Sequence, residues 1–316
     1  MIEHISYAPL EGITVAAFRH VHRDVFGGAD TYYTPFLATN QHHHFKHRDE
    51  REYLPYDPQL IPQVLTANAA DFIWAAREIA SAGYEEVNLN LGCPSPTVVT
   101  KGKGSGMLAD SERLKAFFEE VFAAGDLPRI SVKTRIGYSE ASESAALGEV
   151  LGRFPFCEVI IHPRVRTDLY RGTPNLEAFR EMAAQLTCPV CYNGDIRTAE
   201  DAARILEALP GVRRIMIGRG LVADPALARE IRGGKAASGE EMRTYLDAMW
   251  DAYREAGFAE KDILFKMKEL WFYLGSRYPD GEDALARIRK SKDPDEYREM
   301  ISTAERYFST PLFDND

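Results

Sequence analysis

The chain has 316 residues, 45% hydrophobic and 27% charged, with a formal net charge of -10. This is ordinary globular composition, ample for a large core. No apolar run is long enough to span a bilayer, and four cysteines are too few for a disulfide scaffold. The N-terminus, Met1-Ile2-Glu3-His4-Ile5, enters a strand-like pattern with no signal-peptide h-region, so a soluble, cytoplasmic protein is expected. The acidic total taken alone argues against a nucleic-acid binder, but binding depends on local patches. Basic clusters occur at His42 to Arg51, Arg164 to Arg171, Lys261 to Lys268 and Arg287 to Lys292.

Short apolar or β-branched runs predict strands at Ile5-Ala8, Thr31-Phe36, Ile61-Leu65, Glu86-Leu91, Ile130-Thr134, Val159-His162, Val190-Tyr192 and Arg214-Ile217. Amphipathic segments between them predict helices at Val15-Val25, Ala69-Ala82, Ser111-Ala123, Ser142-Leu151, Leu176-Leu186 and Thr198-Ala208. Strands alternating with helices imply βα units and a parallel sheet, and eight such units fit a (β/α)8 TIM barrel, an α/β fold. No Gly-x-Gly-x-x-Gly follows the first strand, which disfavours a doubly wound open sheet. Ala38 to Leu60 reads as a long loop. After Pro225 the strand signals stop, and Glu240-Gly257, Lys261-Leu274, Asp283-Lys290 and Asp295-Phe308 read as helices. The expected organisation is a barrel over 1–235 and a small all-helical domain over 236–316.

The sequence around Asn88-Leu89-Asn90-Leu91-Gly92-Cys93-Pro94 puts a thiol on a loop at a strand's carboxyl end. Lys101-Gly102-Lys103-Gly104-Ser105-Gly106 follows as a flexible, basic loop, a candidate lid. A working thiol and a small buried hydrophobe both fit this local pattern. In such a barrel the working groups sit at the carboxyl ends of the strands. Those ends read Pro9-Leu10-Glu11-Gly12, Gln63, Asn90 with Cys93, Lys133 with Arg135, His162 with Arg164, Asn193-Gly194-Asp195, and Gly218-Arg219-Gly220. They are polar and glycine-rich where the strand bodies are apolar. Asn193-Gly194-Asp195 and Gly218-Arg219-Gly220 each precede a helix, an arrangement suited to a phosphate-bearing ligand. Lys133, inside a barrel strand, demands an anionic or electron-rich partner. Cys188-Pro189-Val190-Cys191 is read as structural, and His42-His43-His44 as an exposed loop, so no metal site is expected.

Together these ends, with Ala8-Pro9-Leu10-Glu11-Gly12, Val132-Lys133-Thr134-Arg135, His162-Pro163-Arg164 and Met216-Ile217-Gly218-Arg219-Gly220, resemble the tRNA-dihydrouridine synthase family. Lys266-Met267-Lys268-Glu269-Leu270-Trp271 is similar to that family's tail helix. Here Ser95-Pro96-Thr97 stands where many members carry a lysine, and His162-Pro163-Arg164-Val165 replaces the usual His-Gly-Arg-Thr. The resemblance implies an FMN-dependent oxidoreductase that reduces the C5–C6 bond of tRNA uridines, with NADPH as reductant. It implies flavin contacts from Pro9, Leu10, Gln63, Lys133, His162, Asn193, Gly194, Asp195, Gly218, Arg219 and Gly220. Cys93 becomes the proton donor to C5, and Asn90, Arg164 and Lys101 become substrate contacts. Lys261, Lys266 and Lys268, with Arg287 to Lys292, become part of a tRNA surface on a monomer. Two alternatives remain open at this point: an FMN barrel acting on a small dihydroorotate- or dihydropyrimidine-type molecule, and a non-catalytic RNA-binding relative.

Overall fold

The computed structural model describes residues 2–40, 42–275 and 282–308, with side chains in the last segment over 285–301. Contacts divide the chain into two compact units. The first comprises Met1–Pro9, Asp30–Asp195 and Ala203–Ile217, and the second Leu10–Ala29, Ile196–Ala202 and Gly218–Asp316. The boundary expected at 235/236 therefore falls inside the second unit, since residues 10–29, 196–202 and 218–235 group with the helices.

The first unit carries every strand: β1 His4–Tyr7, β2 Thr31–Tyr33, β3 Leu37–Ala38, β4 Leu60–Ile61, β5 Gln63–Leu65, β6 Glu86–Leu91, β7 Arg129–Gly137, β8 Glu158–Val165, β9 Val190–Tyr192 and β10 Arg214–Ile217. All pair in parallel, in the order β3-β5-β6-β7-β8-β9-β10-β1-β2-β4. The two ends of that order join. β2 and β3 are halves of one interrupted strand, as are β4 and β5, and they pair Tyr33 with Ile61 and Leu37 with Val64. The sheet is thus the eight-staved barrel expected, with two staves broken. Pro62 causes one break, because it has no N–H to donate. Thr34 spans the gap. Its N–H donates to the Ile61 carbonyl at 3.3 Å, and its Oγ1 accepts from the Gln63 N–H at 2.9 Å.

Side chains alternate across each strand. In β6, Val87, Leu89 and Leu91 are fully buried on the apolar side, while Asn88 and Asn90 share the barrel's interior with polar groups of β5 and β7. Deeper in the interior, Ala8, Tyr33, Ile160, Cys191 and Met216 pack as one apolar layer. The helices Ala69–Ser81, Ser111–Ala123 and Leu176–Ala183 begin at Asn68, Asp110 and Asn175, whose side chains accept from the N–H of Asp71, Arg113 and Ala178. Each cap satisfies a donor that the helix's first turn leaves open. The long 38–60 connection contains one helical turn, His47–Glu50.

The second unit is helical. Ser238 and Glu241 cap the helix Gly239–Glu255 reciprocally. Arg229 pairs with Glu241 at 2.7 Å and, with the Ser238 N–H, holds that carboxyl down at about 2. Phe18 and Phe26 of the Ala16–Val25 region pack on Tyr245, with ring centroids 6.5 and 5.3 Å apart. Trp271 donates to the Tyr297 hydroxyl at 3.0 Å, and Trp250 stacks on the Tyr297 ring. No helix of the described residues is long and apolar enough to cross a membrane.

Candidate active site

Cys93 lies, partly exposed, just beyond the carboxyl end of β6. Two independent braces hold its backbone. From below, Asn90 Oδ1 accepts from the N–H groups of Gly92 at 3.1 Å and Cys93 at 2.9 Å. From the side, the Cys93 carbonyl accepts from the N–H and Oγ of Ser105, at 3.1 and 2.8 Å. Gly104, at φ +57°, makes that second approach possible: a Cβ there would lie 2.8 Å from the Cys93 carbonyl oxygen and 3.1 Å from its Cβ. Gly104–Ala109 is a 3-10 helix with Gly104 and Ser105 buried. The lid expected over Lys101 to Gly106 is thus corrected. Its second half is a fixed shelf under Cys93, and Lys101 itself is exposed beside it.

Asn90 does not stand alone. Its Nδ2 donates to Gln63 Oε1 at 2.7 Å, Gln63 Nε2 to Asn88 Oδ1 at 2.7 Å, and Asn88 Nδ2 to Ser131 Oγ at 2.9 Å. Gln63, Asn88 and Ser131 are fully buried. Gln63 and Asn90, expected to touch flavin and base, are thus placed as links in an amide ladder across three strands. That ladder positions the Cys93 loop.

Lys133, beside this ladder on β7, makes no hydrogen bond or ion pair among the described residues. Burial, then the Arg135 charge, lowers its pKa to about 8, and Cys93 is near enough to oppose that shift. Its neighbour Arg135 is committed to three backbone carbonyls. A register irregularity between Arg135 and Gly137 turns it toward backbone carbonyls. It donates to Gly92 at 2.9 Å and to Val165 and Leu169 at 2.8 Å each. Its guanidinium also lies 5.6 Å from the centre of the Tyr170 ring, which stacks on His162 with centroids 6.2 Å apart. Tyr170 is 54% exposed. Lys133, His162, Tyr170 and the Cys93 loop therefore surround the carboxyl end of β6 to β8. Sequence reading missed Tyr170, and its one signal was an aromatic within the basic run Arg164 to Arg171.

Arg164 requires a correction. It is 1% exposed. It donates to the carbonyls of Arg171 and Gly172, to both carboxylate oxygens of Asp195, and it contacts His162 Nε2 at 3.1 Å. With every donor direction taken, it has nothing left for a phosphate or a uracil, and Asp195 is neutralised by the same contact. Leu169 at φ +54° and Asp195 at φ +40° are strained backbone positions, and each is held by one of these two arginines. Asn193 Nδ2 donates to the Met216 carbonyl at 2.8 Å and straps β9 to β10, with Gly194 packed against the Tyr192 hydroxyl. Pro9 follows β1 directly. In the second unit, the Leu10 N–H donates to Thr14 Oγ1 at 2.8 Å. There too Gly218 opens the short helix Arg219–Ala223, and Gly220 is buried.

The remaining motifs take structural positions. Cys191 is in the apolar layer of the barrel, where burial pushes its thiol up. His43 stacks on Trp74 and lies 3.3 Å from Asp71. Lys266, expected on the tRNA surface, is also corrected. Its ammonium donates to the Gly12 carbonyl at 2.9 Å and sits over the Tyr253 and Phe258 rings, so it fastens the second unit internally.

The sequence profile of the family described as Dihydrouridine synthase (Dus) matches residues 6–257. A tRNA-dihydrouridine(16) synthase of Ralstonia nicotianae is 31% identical, with 94% of each chain covered. One of Pseudomonas syringae pv. tomato is 29% identical over 92% of this chain and 96% of its own. A probable tRNA-dihydrouridine synthase 2 of Bacillus subtilis is 28% identical, over 95% of this chain and 94% of its own. Among solved structures, morphinone reductase aligns with a TM-score of 0.52 at 10% identity, over 77% of this chain and 88% of that one, a likeness of fold. With the profile spanning most of the sequence and relatives matched over nearly their full length, the chain belongs to the dihydrouridine synthase family.

Proposed function

We propose that this protein reduces the C5–C6 double bond of a tRNA uridine to 5,6-dihydrouridine, using FMN at the barrel mouth and NADPH as reductant. The observation that carries this reading is Lys133. A half-buried lysine inside a barrel strand with no counter-charge among the described residues is costly, and an electron-rich flavin ring edge would compensate it in a way that no described side chain does. The residues therefore fit a flavin, which when bound and reduced supplies a hydride. Lys133 would hold the electron-rich edge of that ring and stabilise charge there. Cys93 gives its thiol proton to C5 of the uracil as the other hydrogen arrives at C6. His162 and Tyr170 form the wall against which the uracil rests. A uridine in folded tRNA is out of reach of this thiol, so the nucleotide is extruded, at a cost of a few kcal/mol. The residues described between 239 and 308 contribute exposed Lys261, Arg287, Arg289, Lys290 and Lys292 to the phosphate backbone.

The test is to map dihydrouridine in tRNA from cells with and without the gene, beginning at position 16, which the names of several relatives carry. Loss of the modification at one defined position, restored by the wild-type gene, is the expected result. An unchanged map, with a colourless purified protein, would overturn the proposal.

A further inference from the structure

The helix Glu260–Leu274 buries Ile263, Leu264, Met267, Leu270, Trp271 and Leu274. On its other side, Phe265 and Phe272 are 68% and 65% exposed, the largest values for any large apolar side chain among the described residues. A single exposed phenyl group needs no explanation. These two, seven residues apart, share one face. Lys261 and Lys268 lie on the same face, at positions that alternate with the rings. At 100° per residue, Lys261, Phe265, Lys268 and Phe272 fall within an arc of about 60° and a length of about 16 Å. The acidic residues Asp262 and Glu269 stand on one flank of the arc and Glu260 on the other. Lys268 donates to the Ser291 carbonyl, which ties this face to the run Arg287 to Lys292, where Arg287, Arg289, Lys290 and Lys292 are exposed.

Aromatic rings interleaved with cations describe a surface for unpaired nucleic-acid bases: the rings stack and the cations take the phosphates. We propose that Phe265 and Phe272 are stacking residues for two unpaired bases of the tRNA substrate. This inference rests on the tRNA reading given above. Seven residues advance the helix by about 10.5 Å, three times the ~3.4 Å rise per base along a strand. Each ring therefore meets its own base, and the two bases are not neighbours in one stack. An unpaired loop supplies such bases, because a duplex hides its ring faces.

The test compares the full-length wild type, the Phe265→Ala/Phe272→Ala double variant, Phe265→Trp/Phe272→Trp, and Lys261→Glu. Each is titrated with a tRNA transcript over a range of salt and assayed for dihydrouridine. In the double alanine variant, which removes two stacks, the Kd for tRNA should rise at least about thirtyfold, with an unchanged salt slope and an unchanged melting temperature. The tryptophan pair should restore the affinity, whereas Lys261→Glu should flatten the salt slope. A double alanine variant with wild-type affinity overturns the inference. So does one whose only change is in self-association by sedimentation, which would make the face a protein contact. A wild type that neither binds nor modifies tRNA overturns the proposed function as well. A wild type that does both, beside an unaffected double variant, overturns this inference alone.

Discussion

At the amino ends of the strands, the Glu158 carboxylate is enclosed by the Arg214 guanidinium and by the Tyr33 hydroxyl at 3.3 Å. Arg129 stands 3.5 Å from Glu86 in the same region, and a cavity of about 400 Å³ opens among these groups. Toward the carboxyl ends, Arg164 meets Asp195 in the same self-contained way, but Lys133 has no hydrogen bond or ion pair among the described residues. The two ends share a composition of buried charges and differ in one respect. One closes its electrostatics within the protein, and at the other a cation stands beside the Cys93 thiol with no ion pair among the described residues. An unanswered charge marks a place for a ligand, and a matched pair marks architecture.

The sharpest test of this contrast is Cys93→Ala. Dihydrouridine formation should fall by about 10²–10⁴-fold while the protein stays yellow, as read by absorbance and by tRNA nucleoside analysis. Next is Arg164→Ala, which leaves Asp195 and two carbonyls without their donor. Urea unfolding should show a loss of about 2–4 kcal/mol, and a loss below ~0.5 kcal/mol would mean that Arg164 is not a clamp. Lys133→Met should do the reverse. Removing a desolvated, unpaired cation should stabilise the flavin-free protein by about 1–3 kcal/mol while weakening FMN binding. Such a gain in stability is not expected of a residue kept for packing. In the wild type, Lys133 loses its proton as pH rises through about 8. FMN affinity should therefore be flat below that pH and fall by at most about tenfold per pH unit above it, a dependence absent in Lys133→Met. The smallest effect belongs to the amino end: Glu158→Gln should leave turnover within about twofold of wild type, since that face of such barrels serves stability. Burial, opposed by the Arg214 guanidinium, pushes the Glu158 carboxyl up.

The alternation of strand and helix patterns carried the barrel, because side-chain period is a property of residue type. Strands β6, β9 and β10 lie where the apolar runs placed them. The breaks at Thr34 to Phe36 and at Pro62 were not legible, since pairing across them uses a side-chain oxygen instead of the ladder. The positions of Cys93, just past a strand end, and Lys133, within a strand, were legible because a thiol and a lysine stand out against apolar strand bodies. The duties of Arg135 and Arg164 were not. Both are anchored to backbone carbonyls of Gly92, Val165, Leu169, Arg171 and Gly172. Every residue carries a carbonyl, so sequence gives no sign of where one points. A ligand-binding arginine and a clamp look alike until the carbonyls are seen. Lys266 misled for the same reason, its partner being the Gly12 carbonyl.

The ladder beneath Cys93 also has a direction. Every amide hands its hydrogen the same way, from Asn90 to Gln63 to Asn88 to Ser131, so the dipoles align and polarise one another. Only at Asn90 does the row end on a bare carbonyl, and that carbonyl is what receives the Cys93 loop. The arrow is all-or-none, because an amide turned over within it would set oxygen against oxygen at one joint and N–H against N–H at the next. The sense of the row is therefore set at its Asn90 end, where the Gly92 and Cys93 N–H groups can only donate, and the Ser131 hydroxyl on the adjacent strand, able to donate or accept, follows it.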